Sequence, residues 1–93
     1  MKEKYIEQKL ILAVKAKGGL ALKFVSPGFY GVPDRLVLLP NALIAFVELK
    51  RKGEKLRPLQ LKRKNQLKAL GFSVYCIDDV KEIGGILDEI RTT

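Results

Sequence analysis

An aspartate that opens one apolar run, and a glutamate and lysine that close the next, are the residues of this chain with chemistry to offer. Asp34 stands in Gly31-Val32-Pro33-Asp34-Arg35, and Glu48 and Lys50 stand in Phe46-Val47-Glu48-Leu49-Lys50. Residues two apart on an extended strand project to the same side, so Glu48 and Lys50 share a face. If Pro40-Asn41 turns the chain back on itself, Asp34, six residues before Pro40, lies beside Glu48, seven residues after Asn41. Two neighbouring carboxylates repel unless something neutralises them. Lys50 supplies part of that charge, and a divalent cation can supply the rest. Mg²⁺ or Mn²⁺ suits an oxygen-donor site and keeps several of its waters. Such an ion polarises a phosphoryl oxygen and lowers the pKa of a bound water, while a lysine beside it orients the water or stabilises phosphate charge. These residue types fit phosphodiester hydrolysis.

The rest of the composition narrows the field. The chain has no histidine and one cysteine, Cys76, which excludes a Ser-His-Asp triad, a Cys-His pair, a zinc site and an internal disulfide. Its 93 residues allow one domain, spanning 1–93, and its longest apolar stretch, 42–47, is far too short to cross a membrane. The charged N-terminus has no signal-type apolar segment, so an unexported, cytoplasmic protein is expected, in the interior of a bacterial host or under phage origin. The 18 Lys and Arg outnumber the 10 Asp and Glu, giving a net charge of +8. Nine of the basic residues fall between Lys50 and Lys68, with Glu54 the one acid among them, whereas five acids crowd the stretch from Asp78 onward. A basic middle set against an acidic end fits a surface that faces a polyanion, nucleic acid before an anionic membrane.

Those residues need elements to hold them. Helical spacing of Ile6, Leu10, Ala13 and Val14 predicts a helix over 2–17, stopped by Gly18-Gly19. A short strand is expected over 20–25, broken by Ser26-Pro27-Gly28, then a strand over 34–39 and a hairpin partner over 42–50. After a polar loop, Pro58 opens a helix to about Leu70, with Leu59, Gln66, Leu67 and Leu70 inward or nearly so. Gly71 closes it before a strand over 72–77. Asp78 or Asp79 then caps a last helix striped by Ile83, Ile86, Leu87 and Ile90. The strand–helix–strand step makes its two strands parallel. The expected fold class is therefore α/β: helix, three strands, helix, strand, helix, with a mixed four-stranded sheet flanked by helices.

Pro33-Asp34 followed by Glu48-Leu49-Lys50 resembles the PD-(D/E)xK nuclease signature, whose fold is the restriction-endonuclease-like core. The fuller pattern is similar to the VRR-NUC (virus-type replication-repair nuclease) branch: a glutamate in the first helix, Gly-x-Pro-Asp, Glu-x-Lys, and a glutamine in the following helix. Here these are Glu7, Gly31-Val32-Pro33-Asp34, Glu48-Leu49-Lys50 and Gln60. The resemblance covers nearly the whole chain. It implies Mg²⁺ or Mn²⁺ held by Asp34, Glu48 and the main-chain carbonyl of Leu49, with Glu7 approaching the metal, Lys50 catalytic and Gln60 supporting the site. It further implies a small homodimer that cuts branched DNA such as four-way (Holliday) junctions.

Each residue also has a plainer reading. Asp34 fits a turn after Pro33, Glu48 a strand-end charge, and Lys50 one more member of a basic run. Glu7 fits helix surface beside Glu3, and Gln60 a hydrogen bond near its helix start. Arg35 should point away from Asp34, towards the protein or a distant phosphate. Arg51, Lys52, Lys55, Arg57, Lys62, Arg63 and Lys64 are phosphate contacts as a group, of the kind that bind without reading sequence. Phe29 and Tyr30 either stack on an opened base or pack at the hairpin base or a dimer contact. Tyr5 and Tyr75 read as core or interface, and Cys76 as buried and inert. The competing function classes are a non-catalytic nucleic-acid-binding module and a nuclease subunit that works only with a partner.

Overall fold

The computed structural model describes residues 1–92. Helix α1 (Glu3–Ala16) buries Ile6, Leu10 and Val14 on one stripe. It ends where Gly18 takes a positive φ of 81°, a conformation glycine adopts without a Cβ clash, and where the Gly19 amide donates back to the Val14 carbonyl. Strands β1 (Leu20–Lys23), β2 (Arg35–Leu39), β3 (Leu43–Leu49) and β4 (Ser73–Ile77) form one sheet in that spatial order. The first two pairings are antiparallel and β3 with β4 is parallel, as a crossover through helix α2 (Pro58–Ala69) requires. A 3-10 turn (Val80–Glu82), capped by Asp79 Oδ1 accepting from the Lys81 amide, leads into α3 (Ile83–Arg91). The element order and the mixed sheet agree with the expectation from sequence.

The two faces of the sheet are covered unequally, and that decides where a site can form. Val37, Leu39, Ala45, Val47, Leu49 and Ile77 face α1 and α3, where they join Ile6, Leu10, Val14, Ile83, Leu87 and Ile90 in the main core. On the other face stand Leu20, Leu22, Leu36, Leu38, Ile44, Phe46 and Val74, alternating with that set. Helix α2 packs on this face chiefly beside β4 and meets the loop before β2 through Leu59 and Arg63, and no residue of α2 is buried. Leu59, Gln66 and Leu70 were expected inward or nearly so, yet all three are exposed, Leu70 by 74% of its surface; of the four, Leu67 alone is half-buried. A helix lying over a sheet edge has too little sheet beneath it to bury a full stripe. In its place Phe24, Phe46 and Phe72 form a chain of ring contacts, with centroids 5.5 and 5.6 Å apart, that closes part of this face.

The strand ends shift slightly. β1 stops at Lys23, although the Phe24 amide still reaches the Asp34 carbonyl at 2.9 Å before Ser26-Pro27 turns the chain away. The hairpin turn carries Asn41 and Ala42 at φ of 71° and 60°, left-handed values that Asn tolerates and Ala resists. Tyr5 is exposed with the Lys9 ammonium over its ring, Tyr75 packs against the core, and Cys76 is half-buried rather than buried.

Candidate functional site

β2 pairs with β3 so that Arg35 lies opposite Val47. One step further along the same register sets Asp34 opposite Glu48, with Phe24 on one side and Cys76 on the other. Asp34, Glu48 and Cys76 thus form a row at the end of the sheet, on the face away from α1. Asp34 Oδ2 accepts the Leu49 amide at 2.9 Å, which locks the aspartate against the end of β3. Pro33 before it is buried, so the approach to Asp34 is stiff as well. Lys50 follows directly, its amide donating to the Ile77 carbonyl at 2.9 Å.

Glu48 and Lys50 are the two charged residues buried among the described residues, exposing 4% and 6% of their surface. Burial pushes the Glu48 carboxyl up to about 9, and Asp34, close enough to share a proton with it, pushes the same way; the Lys50 charge pulls back only in part. Burial and the facing carboxylate thus both favour the neutral form of Glu48. A cation in place of that proton would satisfy both carboxylates at neutral pH. With the Leu49 carbonyl the pair makes a set of hard oxygen donors of the kind Mg²⁺ and Mn²⁺ take. Among the described residues no group of three or more acids, cysteines or histidines is placed to hold a metal ion, so a cation on this pair would take most of its shell from water or phosphate oxygens.

Two acids of the first helix lie near this end of the sheet. Glu7 Oε2 accepts from Arg35 Nε at 2.9 Å, and Arg35 Nη1 donates to the Ala21 carbonyl at 3.1 Å; both contacts lie on the α1 side of the sheet, where Arg35 was expected to point. Glu3, one helical turn earlier, is the acid whose charge is coupled to Asp34, Glu48 and Lys50. Partial burial raises its carboxyl first and Asp34 second. Glu3 and Glu7 lie four apart on one helix face, and the axial position of α1 sets which of them meets Arg35.

Gln60 sits at the third position of α2, where its Oε1 accepts the Arg57 amide at 2.9 Å and so caps the helix start. The basic residues divide. Lys52 Nζ is held by Asp79 Oδ2 at 3.0 Å, and the Gly53 amide by Asp78 Oδ2 at 3.0 Å, so the acidic end folds back on part of the basic loop. Those contacts hold both aspartates below their ordinary range, Asp78 through the Gly53 amide first and Asp79 through the Lys81 amide first. The Arg63 guanidinium lies 3.7 Å above the Phe29 ring and donates to the Tyr30 carbonyl and to Gln66 Oε1. Lys64 is half-buried, close enough to Cys76 for its charge to be felt there. Arg51, Lys55, Arg57 and Lys62 remain exposed on the loop and the start of α2.

No protein-family model matches the chain. A solved structure described as a VRR_NUC domain superposes with a TM-score of 0.87 at 30% identity, over 92% of this chain and 94% of that one. A protein of Acyrthosiphon pisum secondary endosymbiont phage 1, named "Putative nuclease p44", is 48% identical over 91 residues, 98% of this chain and 97% of its own length. The chain belongs to the VRR-NUC family. Within a VRR-NUC nuclease fold, the row that holds Asp34 and Glu48 sits where the antiparallel hairpin meets the parallel crossover strand, because β3 alone is shared by both.

Proposed function

We propose that this VRR-NUC domain is a divalent-metal-dependent deoxyribonuclease that hydrolyses phosphodiester bonds in branched DNA, four-way junctions included. The observation that carries the reading is the buried Glu48 carboxyl beside Asp34, with Lys50 buried next to it. A surface that only binds nucleic acid has no use for burying an acid beside a second carboxylate.

Asp34, Glu48 and the Leu49 carbonyl are the groups that hold Mg²⁺ or Mn²⁺, with Glu3 rather than Glu7 the helix acid nearby. When bound, the cation supplies Lewis-acid polarisation of the phosphate and a more acidic water. Lys50, fixed by its backbone bond to Ile77, orients the attacking water and balances charge on the phosphate. Gln60, its carbonyl oxygen taken by the cap, has its amide NH₂ to offer a phosphate oxygen. Arg51, Lys55, Arg57 and Lys62 carry the backbone of the substrate beyond the cut. The protein works as one domain, inside the host cell, and as a homodimer: Leu20 and Ile44 lie bare at the far end of the α2-side face, with Leu22 exposed between them and the Asp34–Glu48 row, and a second copy would cover them. No described helix is long and apolar enough to cross a membrane.

The test is cleavage of labelled four-way junction, flap and plain duplex DNA with Mg²⁺, Mn²⁺ or EDTA, beside Lys50→Ala. Metal-dependent cutting of the branched substrates, reduced about 10²- to 10³-fold by the substitution, is the expected outcome. Binding without cutting under either metal would overturn the reading.

A further inference from the structure

The loop between β1 and β2 is held more tightly than its position between two strands requires, and it holds one aromatic ring out in solvent. The Phe29 amide closes a turn on the Ser26 carbonyl at 3.1 Å. Arg63 grips the next segment twice, stacking its guanidinium 3.7 Å from the Phe29 ring and donating from Nε to the Tyr30 carbonyl at 2.7 Å. Gly31, at φ of 87°, presses so close to α2 that a Cβ there would meet Leu59 Cγ at 2.7 Å. Three contacts with α2 thus fix the backbone on both sides of Tyr30, four residues before Asp34. The Tyr30 ring has no ring contact among the described residues, and 73% of the residue is exposed. Ordering a loop around an exposed aromatic costs conformational entropy and leaves apolar surface in water, a cost that a ligand seated on the ring would offset.

We propose that Tyr30 is a stacking platform for an unpaired base next to the cut phosphate, and that Arg63 is the positioning residue that holds it there. The ligand class is nucleic acid with an unstacked base at a branch, because a base inside a duplex presents no free face to a ring. Two features favour that occupant over a protein surface. The exposed cations Arg57 and Lys62 lie on the start of the same helix that grips the loop, giving a backbone a place to run. The loop also leads straight into the row that holds Asp34 and Glu48. Stacking of this kind tolerates any base, so it contributes preference for shape and not for sequence. The proposal rests on the nuclease reading for its position beside a cut, but not for the stacking itself.

The experiment measures binding of the full chain, in EDTA, to a four-way junction with 2-aminopurine at the branch and to plain duplex of equal length. Wild type is compared with Tyr30→Ala, Tyr30→Phe and Tyr30→Leu, with oligomeric state recorded by light scattering. Tyr30→Ala should weaken junction binding by about 5- to 100-fold and abolish the fluorescence change, with duplex affinity held within about twofold. Tyr30→Phe should behave as wild type. Tyr30→Leu, which keeps the apolar bulk without the ring face, should behave as Tyr30→Ala. Equal loss on both DNAs, no loss on either, rescue by Leu, or a change of oligomeric state in Tyr30→Ala would each overturn the proposal. If the wild type cuts no DNA with either metal, the nuclease reading falls, while the fluorescence and affinity series still decides the stacking.

Discussion

Glu48 shows how much a residue's neighbours decide its chemistry. A glutamate at a strand end has a plain reading as a solvated charge, but after Ala45-Phe46-Val47 it stands at the edge of buried structure; burial and the facing Asp34 push its carboxyl up to about 9. A carboxyl raised above its ordinary 4.5 binds its proton more tightly in the folded chain, so its contribution to stability is full below about pH 4.5 and fades as pH climbs towards about 9. In EDTA the melting temperature should therefore fall across that window, whereas Asp78 and Asp79, held below their ordinary 3.8, cost stability only in more acidic solution. Mg²⁺ should raise the melting temperature most at the alkaline end, since metal and proton compete for the pair. Glu48→Gln should flatten the EDTA profile and remove the response to Mg²⁺; a wild-type profile as flat as the variant's would contradict this. The two helix acids offer a second contrast. Glu3→Gln should lower the cleavage rate with little change in melting temperature, and Glu7→Gln should do the reverse, because Glu7 ties α1 to Arg35. Denaturation and single-turnover cleavage on the same preparations would separate them.

Among the elements, α2 has an unusual task. It contributes no buried residue, yet it carries the Gln60 cap and grips the loop before Asp34 through Leu59 and Arg63. Such a helix is held by its contacts at the start more than by a core, so its first turn should be sensitive. Gln60→Ala should destabilise the protein by about 1 kcal/mol through loss of the cap, read by urea unfolding. Gln60→Glu keeps an oxygen for the Arg57 amide and should leave stability near wild type. If the Gln60 amide meets a phosphate, Gln60→Glu should still lower cleavage by at least about tenfold, because it puts a negative charge where a donor stood. Cleavage that tracks only the folded fraction would reduce Gln60 to its cap.

At the level of the whole molecule, the uneven cover of the sheet is the dominant feature. One face has a dry core under α1 and α3; the other has the Asp34–Glu48 row at one end, bare Leu20 and Ile44 at the other, and exposed Leu22 between. A small domain with a thin core loses stability by leaving such a face in water, which makes it a natural seat for a second copy. Sedimentation of the wild type should show a dimer at micromolar concentration, and Leu22→Asp or Ile44→Asp should shift it to monomer while leaving the fold intact. A wild type that is monomeric throughout would remove the homodimer from the reading.

The hairpin and its charges were legible in the sequence because they are local. Pro40-Asn41 sits between two apolar runs, strand alternation sends Glu48 and Lys50 to one face, and a register set by a short turn leaves Asp34 little choice of partner. The order of elements followed from periodicity for the same reason. That Glu7 pairs with Arg35, how little of α2 is buried, and that Arg63 clasps Phe29 and Tyr30 were decided only by the tertiary structure. Each depends on where a helix lies along or across the sheet. That position is set by the fit of Ile6, Leu10 and Val14 against Val37, Ala45 and Val47, and by the contacts of α2 with β4 and with the loop before Asp34, contacts between residues tens of positions apart whose geometry no local spacing encodes.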